Sequence, residues 1–209
     1  MLVFLAPNLA FLAVPKTGTT AVEMALRGRA DIAFRGRLKH MTAPRFHNRF
    51  RPFLEENYGA RPEAMAVMRD PIEQIRSWYR YRSRLKAGRH AIRGIGFEAF
   101  VEAMLSDSPP PFAEIGSQHR FLCGGEAAPM VEHLFAYEAQ PRLLDFLSER
   151  FGERITLRPR NVSAPVDTPL SAELETRLRA ARAREFALHD RLVQAGGYLR
   201  PDRPDKPRA

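Results

Sequence analysis

The feature that most constrains the fold is a repeated unit in which an apolar run is followed by a turn and a helix-forming segment. The first copy is the run 9–14, which stops at Pro15 before a Gly/Thr-rich turn and the helix-forming residues 21–26. The second begins with the run 64–68 and the third with 131–137. Repeated strand-then-helix units favour a parallel sheet with helices on both faces. The sequence therefore predicts an α/β three-layer sandwich with a mostly parallel central sheet.

The helix of the second unit carries a clear start signal. Asp70 can cap its amino end, Pro71 fits the first helical position, and Glu73 stands three residues beyond the cap, as in a capping box. We expect this helix to run to about Lys86. Gly152 is a natural carboxyl-terminal cap for the helix of the third unit.

Ser171 opens a segment whose apolar residues recur at helical spacings, which predicts one last helix packed on the sheet by a single stripe. The stripe consists of Leu174, Leu178, Ala181, Leu188 and Leu192. The segment 86–95 is basic and contains glycine, and 106–111 is rich in Ser and Pro, so both are predicted loops. One domain is expected over residues 1–198, and the Pro-rich residues 199–209 are expected to be disordered.

Composition bounds the partners and the compartment. The net charge of +9 predicts attraction to polyanions, but the arginines are spread over every predicted element, so charge does not choose among them. Cys123 is the single cysteine, which excludes an internal disulfide and a cysteine-based zinc cluster. The apolar start has no basic region and is interrupted at Pro7, so we expect a cytoplasmic protein without a membrane span.

The loop from Pro15 to Thr20 has the composition of an anion-binding site. It lies between a predicted strand and a predicted helix, where free N–H groups carry a partial positive charge. Gly18 permits close backbone approach, Thr17, Thr19 and Thr20 add hydroxyls, and Lys16 adds a full charge. The Walker A pattern of ATP and GTP enzymes is not met, because Lys16 precedes the glycine.

This loop resembles the first signature of the sulfotransferases that use 3'-phosphoadenosine 5'-phosphosulfate (PAPS). That signature is a strand, then Pro-Lys-[Ser/Thr]-Gly-[Ser/Thr]-[Ser/Thr], then a helix, and residues 15–20 match every position. The resemblance implies a P-loop-like fold and PAPS as co-substrate. It also implies that the loop wraps the 5'-phosphosulfate and that Lys16 neutralises charge on the bridging oxygen as the sulfur–oxygen bond breaks.

The second signature of the family is also present. A strand ending in Arg-Asp-Pro is followed by a serine eight residues after the arginine, and here these are Arg69, Asp70, Pro71 and Ser77. A guanidinium fork at a strand end and a hydroxyl two turns along a helix can hold one phosphate together. By the resemblance, Arg69 and Ser77 bind the 3'-phosphate that distinguishes PAPS from ATP.

Three further segments are similar to the carbohydrate-type branch of the family. They are Tyr137-Glu138 before a Leu-rich helix, Gln118 before Phe121, and Asn161 and Ser163 before the last helix. The resemblance implies that residues 158–163 close over the nucleotide, with Asn161 and Ser163 as ligands.

Sulfuryl transfer to an alcohol requires a base that takes the hydroxyl proton, and the family usually uses histidine or glutamate. His40 lies between the two nucleotide motifs and is the preferred candidate, and His47 and Glu23 or another carboxylate remain alternatives. His133 and His189 lie in predicted packed elements, which favours structural roles. No cluster of acidic and histidine residues has metal-ligand spacing, and no metal is expected, since Lys16 and backbone donors can stabilise the transferring group.

Two other interpretations stay open. A nucleotide-dependent kinase with an atypical phosphate loop would need an acidic metal ligand at a strand end, where this chain has Arg69. A non-catalytic basic protein could bind nucleotides or polyanions, but the only stretch that interleaves aromatic and basic residues, 78–82, falls on a predicted helix. We expect a small-molecule or glycan hydroxyl acceptor framed by the loops 86–96 and 106–118, and no nucleic acid.

Overall fold

A six-stranded sheet with the order β3-β1-β2-β4-β5-β6 organises the chain. The computed structural model describes residues 1–158 and 166–201. The strands are β1 (Leu2–Phe4), β2 (Leu9–Leu12), β3 (Ile32–Ala33), β4 (Glu63–Met68), β5 (His133–Ala136) and β6 (Tyr198–Leu199). The α-helices are α1 (Thr19–Leu26), α2 (Ala43–Arg45), α3 (Arg51–Tyr58), α4 (Pro71–Ser83), α5 (Phe97–Leu105), α6 (Gln118–Cys123), α7 (Gln140–Phe151), α8 (Ala172–Ala181) and α9 (Ala183–Gln194).

The sheet is mixed, which confirms the α/β class and corrects the prediction of a mostly parallel sheet. Among the described strands only β2, β4 and β5 run parallel, with Leu12 opposite Ala66 and Met68 opposite Ala136. The other three pairings, β1 with β2, β1 with β3, and β5 with β6, are antiparallel. The chain reverses at Asn8, whose φ of 50° places it in the left-handed region, so that the apolar start forms a hairpin instead of one parallel strand.

Helices cover both faces of this sheet. Successive strand residues point to opposite faces, so Leu12 and Met68 belong to one apolar cluster while Phe11 and Val67 belong to another. The first cluster also contains residues of α2, α3, α6 and α9, and the second contains residues of α1 and α7. The two faces are therefore both buried, as the continuous apolar character of the central strands requires.

The predicted single last helix is two helices. The helix breaks at Arg182, with φ −117° and ψ 29°, between α8 and α9. Leu178 of α8 packs in a third apolar cluster with α4 and α5, whereas Leu192 of α9 packs in the cluster on one sheet face. One straight helix could not bury its stripe on both surfaces, and the break lets each half face its own partner.

The ends of the helices follow the sequence signals with two exceptions: α4 ends at Ser83, short of the expected Lys86, and the capping box at Asp70 is incomplete. Asp70 Oδ1 accepts a hydrogen bond from the Glu73 N–H at 2.9 Å and Gly152 ends α7 with φ 67°, as predicted. The second hydrogen bond of a capping box, from the Asp70 N–H to the Glu73 side chain, is not formed, because the Asp70 N–H donates to Glu138 Oε1 at 3.0 Å. The Glu73 carboxylate contacts arginines instead.

Strand β6 extends the ordered fold to Leu199, which pairs with Leu134 and lies one residue past the predicted domain boundary. Residues 202–209, most of the predicted tail, lie outside the described residues. No helix within 1–158 and 166–201 combines the length and apolar character needed to cross a membrane.

Candidate functional site

The loop 15–20 and the segment 69–77 lie side by side at one edge of the sheet. The parallel strands β2, β4 and β5 end at this edge and are followed by the loop at Pro15, by Arg69 and by Tyr137. Neighbouring strands are about 4.8 Å apart, so the three segments begin next to one another. In open α/β sheets this carboxyl edge is where ligands bind.

The loop 15–20 is held in a defined conformation. Lys16 and Gly18 both have left-handed backbones, with φ of 67° and 74°. The Thr17 hydroxyl donates to the Val14 carbonyl at 3.0 Å, and the Gln74 amide nitrogen in α4 donates to the Pro15 carbonyl at 2.9 Å. The Thr17 proton is therefore used within the protein, whereas the backbone N–H groups at the start of α1 can meet an anion.

Lys16 lies against aromatic rings of α4. Its Nζ is 3.3 Å from the centroid of Tyr81 and 4.9 Å from that of Trp78. Burial, together with the nearby charges of Arg82 and Arg84, lowers the pKa of Lys16 to about 8. Sequence reasoning assigned the aromatic stretch 78–82 to packing and missed its contact with the loop.

Tyr137 connects the loop to Arg69. A Cβ added to Gly18 would lie 2.8 Å from Tyr137 Cε2, so the ring packs directly on this glycine. The Arg69 guanidinium lies 4.6 Å from the centroid of the same ring. The sequence had marked Tyr137 by a family resemblance alone, and the contacts now place it between the two motifs.

The backbone of Arg69 is fixed by one buried side chain. Gln118 Oε1 accepts from the Arg69 N–H and Gln118 Nε2 donates to the Arg69 carbonyl, each at 2.9 Å. Gln118 is 1% exposed, and its own N–H donates to Glu185 Oε1 at 3.0 Å. These two hydrogen bonds fix the backbone of Arg69, from which its guanidinium leaves the strand end.

Glu73 gathers three arginines beside Ser77. Its carboxylate lies 3.3 Å from Arg69 Nη2, 2.8 Å from Arg76 Nη1 and 3.7 Å from Arg80 Nη2. Residues 73, 76, 77 and 80 are spaced so that they share one face of α4. Arg76 and Arg80 were not among the predicted ligands, although their spacing from Glu73 was visible in the sequence.

A backbone carbonyl orients the ring of His40. Its Nδ1 lies 2.7 Å from the carbonyl of Ala13, directly after β2, and a carbonyl can only accept, so Nδ1 carries the proton and Nε2 keeps its lone pair. Desolvation, together with the charge of Lys39, lowers the pKa of His40 below its ordinary value. A neutral imidazole with a free Nε2 at this edge can act as a general base.

The alternative bases are placed less suitably. His47 lies near Arg51, and Arg51 binds Glu132 just before β5. These residues are therefore at the amino ends of the parallel strands, about 16 Å, the length of β4, from the carboxyl edge. Glu23 is 6% exposed and forms an ion pair with Lys39 at 2.7 Å.

Two more histidines contact glutamate side chains. His133 contacts the Tyr198 hydroxyl at 2.8 Å and Glu63 at 3.2 Å. His189 lies 3.5 Å from Glu138, and despite desolvation this contact raises its pKa.

A small cavity opens beside the loop. It has a volume of about 50 Å³, room for a few water molecules, and among its walls are Pro15, Gln74, Trp78, Gly116 and Ser117. Two of the predicted loops were expected to frame the acceptor, and Gly116 and Ser117 belong to one of them, 106–118. The cavity adjoins the first residue of the loop that carries Lys16.

Asn161 and Ser163 lie outside the described residues. Over residues 1–158 and 166–201, no group of three or more His, Cys, Asp or Glu side chains could hold a metal ion. Comparisons of the chain with protein-family models, with curated proteins and with solved structures give no match.

Proposed function

We propose that this chain is a cytoplasmic sulfotransferase with a P-loop-like three-layer fold, which transfers a sulfuryl group from PAPS to a hydroxyl. The observation that carries the proposal is the position of the loop 15–20 and of Arg69 at the ends of the adjacent parallel strands β2 and β4. Tyr137 contacts both. A nucleotide with anionic groups at its 5' and 3' positions needs two such anion sites on one surface.

On the 5' side, the amino end of α1 and the left-handed turn at Gly18 would receive the phosphosulfate. Lys16 is the one lysine of this loop, and its ammonium would stabilise the negative charge that develops on the bridging oxygen. The ring of Tyr81 holds the lysine beside the loop before the donor binds.

On the 3' side, Arg69 and Ser77 would hold the phosphate. Arg69 projects from the end of β4 with a backbone fixed by Gln118, and Ser77 is half-buried on the face of α4 that carries Glu73. Placement of the arginine by secondary structure, not by a loop, favours precise recognition of a phosphate.

The transfer step is an in-line displacement. The acceptor oxygen forms a bond to sulfur while the bond from sulfur to the bridging oxygen breaks, and the electron pair of that bond stays on the 5'-phosphate of the nucleotide product. His40 Nε2 accepts the proton of the acceptor hydroxyl. Lys16 stabilises the leaving oxygen. The acceptor, a small molecule or a glycan, would enter past the loops 86–96 and 106–118.

The buried Cys123 fits a reducing compartment. It is inaccessible, and burial raises the pKa of its thiol to about 12, so the thiolate needed for oxidation does not form at neutral pH.

Isothermal titration calorimetry tests the proposal without knowledge of the acceptor. Adenosine 3',5'-bisphosphate should bind more tightly than ATP, and Arg69→Ala should weaken binding of the bisphosphate. Arg61→Ala is the matched control, since Arg61 is exposed at the opposite end of the same strand. Tighter binding of ATP, or an unchanged affinity in Arg69→Ala, would contradict the proposal and favour a kinase or a general polyanion binder.

A further inference from the structure

We propose that Arg76 and Arg80 complete the 3'-phosphate site with Arg69, and that the Glu73 carboxylate occupies this site until the nucleotide binds. The inference rests on the proposed sulfotransferase function. It assigns phosphate-binding roles to two arginines outside the motif and a displaceable counter-ion role to Glu73.

The position of the Glu73 carboxylate supports this proposal. The Glu73 carboxylate lies between the Arg69 guanidinium, at 3.3 Å, and that of Arg80, at 3.7 Å. Ser77 lies between residues 73 and 80 on the same helix face. An anion held by Arg69 and Ser77 would therefore compete with the Glu73 carboxylate for Arg69 Nη2.

Two buried guanidinium donors of this cluster also lack a partner in the described part of the chain. The Nε atoms of Arg69 and Arg76 are buried and have no hydrogen-bond partner among the described residues. Arg76 Nη2 donates to the Thr168 carbonyl at 3.3 Å, which fixes the direction of its guanidinium. A buried donor without a partner is costly in a folded protein, and a phosphate with its several acceptor oxygens would satisfy such donors better than one carboxylate does.

The charge of the arginine cluster also favours a phosphate. Three guanidinium groups share the single carboxylate of Glu73, while the Asp70 carboxylate is bound to the helix amino terminus through the Glu73 N–H. A phosphate monoester carries a charge close to −2 near neutral pH, which is a better counter-charge for three arginines. The Glu73 side chain is 38% exposed, so it can swing into water when the phosphate enters.

The inference predicts how the enzyme distinguishes nucleotides. Adenosine 5'-monophosphate has no 3'-phosphate and would leave the Glu73 cluster undisturbed. Adenosine 3',5'-bisphosphate would displace the carboxylate and gain contacts with Arg76 and Arg80.

Calorimetric titration of both nucleotides into the wild type and into single variants tests this. Arg76→Gln and Arg80→Gln should each reduce the preference for the bisphosphate by about tenfold, the effect of losing one charge-assisted contact, with the affinity for the monophosphate unchanged. Glu73→Gln should strengthen bisphosphate binding several-fold. Arg179→Gln is the control, because Arg179 also pairs with a glutamate of its own helix, Glu175, but on α8.

The possible outcomes separate the two proposals. A wild type without any preference for the bisphosphate contradicts the sulfotransferase function itself. A preference that depends on Arg69 but survives in both Arg76→Gln and Arg80→Gln overturns only the assignment of these arginines. Weaker bisphosphate binding in Glu73→Gln overturns the displacement by phosphate. If a glutamine variant fails to fold, Arg80→Lys and Arg76→Lys keep the charge and should still lose the forked contact.

Discussion

Gly18 and Tyr137 are in direct contact, since a Cβ on the glycine would lie 2.8 Å from Cε2 of the tyrosine ring. The contact joins the loop after β2 to the segment after β5, two strands away in the sheet. It leaves the loop no room for a larger residue at its left-handed position.

Gly18→Ala should therefore weaken binding of adenosine 3',5'-bisphosphate and destabilise the fold. The positive φ should lower the free energy of unfolding by about 1 kcal/mol, and overpacking against Tyr137 by about 1–3 kcal/mol more. Urea denaturation measures this loss. Gly59→Ala is the control, with φ 62° and open space around its Cβ, so it should show the backbone cost alone. In a Tyr137→Ala background the two glycine variants should become equal, and a Gly18→Ala penalty that persists there would refute the clash.

The position of His40 predicts the acid limb of the pH profile. Because desolvation lowers the pKa of His40, the ring stays neutral at pH 7 and loses its basic Nε2 only below its ordinary value of about 6.5. The kcat/KM for PAPS should fall as pH drops through that lower value. His40→Ala should reduce turnover by about 10²–10⁴-fold and leave nucleotide affinity intact.

His47→Ala is the matched control for this variant, since His47 lies near Arg51 at the other edge of the sheet. Wild-type turnover in His40→Ala, or an equal loss in His47→Ala, would remove His40 from the role of base.

The ammonium of Lys16 predicts the basic limb. Burial and nearby arginines lower the pKa of Lys16 to about 8, so kcat/KM of the proposed reaction should fall as pH rises through 8. Arg84→Gln removes a nearby positive charge and should move this limb to higher pH, since the charged lysine becomes easier to form. Arg89→Gln, an exposed arginine of the same basic segment, should leave it in place. A limb that does not respond to Arg84→Gln would show that another group controls it.

Gln118 predicts a loss of both stability and binding. Gln118→Leu removes the acceptor and the donor that hold the Arg69 backbone, and each buried group left without a partner costs about 1–3 kcal/mol. The free energy of unfolding and the affinity for adenosine 3',5'-bisphosphate should fall together. Gln194→Leu, on an exposed glutamine at the end of α9, should change neither. A variant that loses stability but keeps the affinity would show that Arg69 needs no such support.

Local signals in the sequence determined several helix ends, the strands that precede the two motifs, and the motifs themselves. The run of apolar residues before Pro15, the Asp70 cap and the Gly152 cap depend on neighbours a few residues away, and each is found where the pattern indicated. The sequence likewise predicted that each of the two motifs follows a strand.

The tertiary structure alone decided how these elements pair and what their side chains contact. Whether β1 runs parallel or forms a hairpin depends on the turn at Asn8 and on partners distant in sequence. Glu73 fits a capping box locally, yet Glu138 takes the Asp70 N–H, because the ends of β4 and β5 meet there. The break at Arg182 follows from two separate apolar surfaces. Contacts such as Gly18 with Tyr137 and Gln118 with Arg69 join residues 119 and 49 positions apart, and no periodicity in a sequence records such distances.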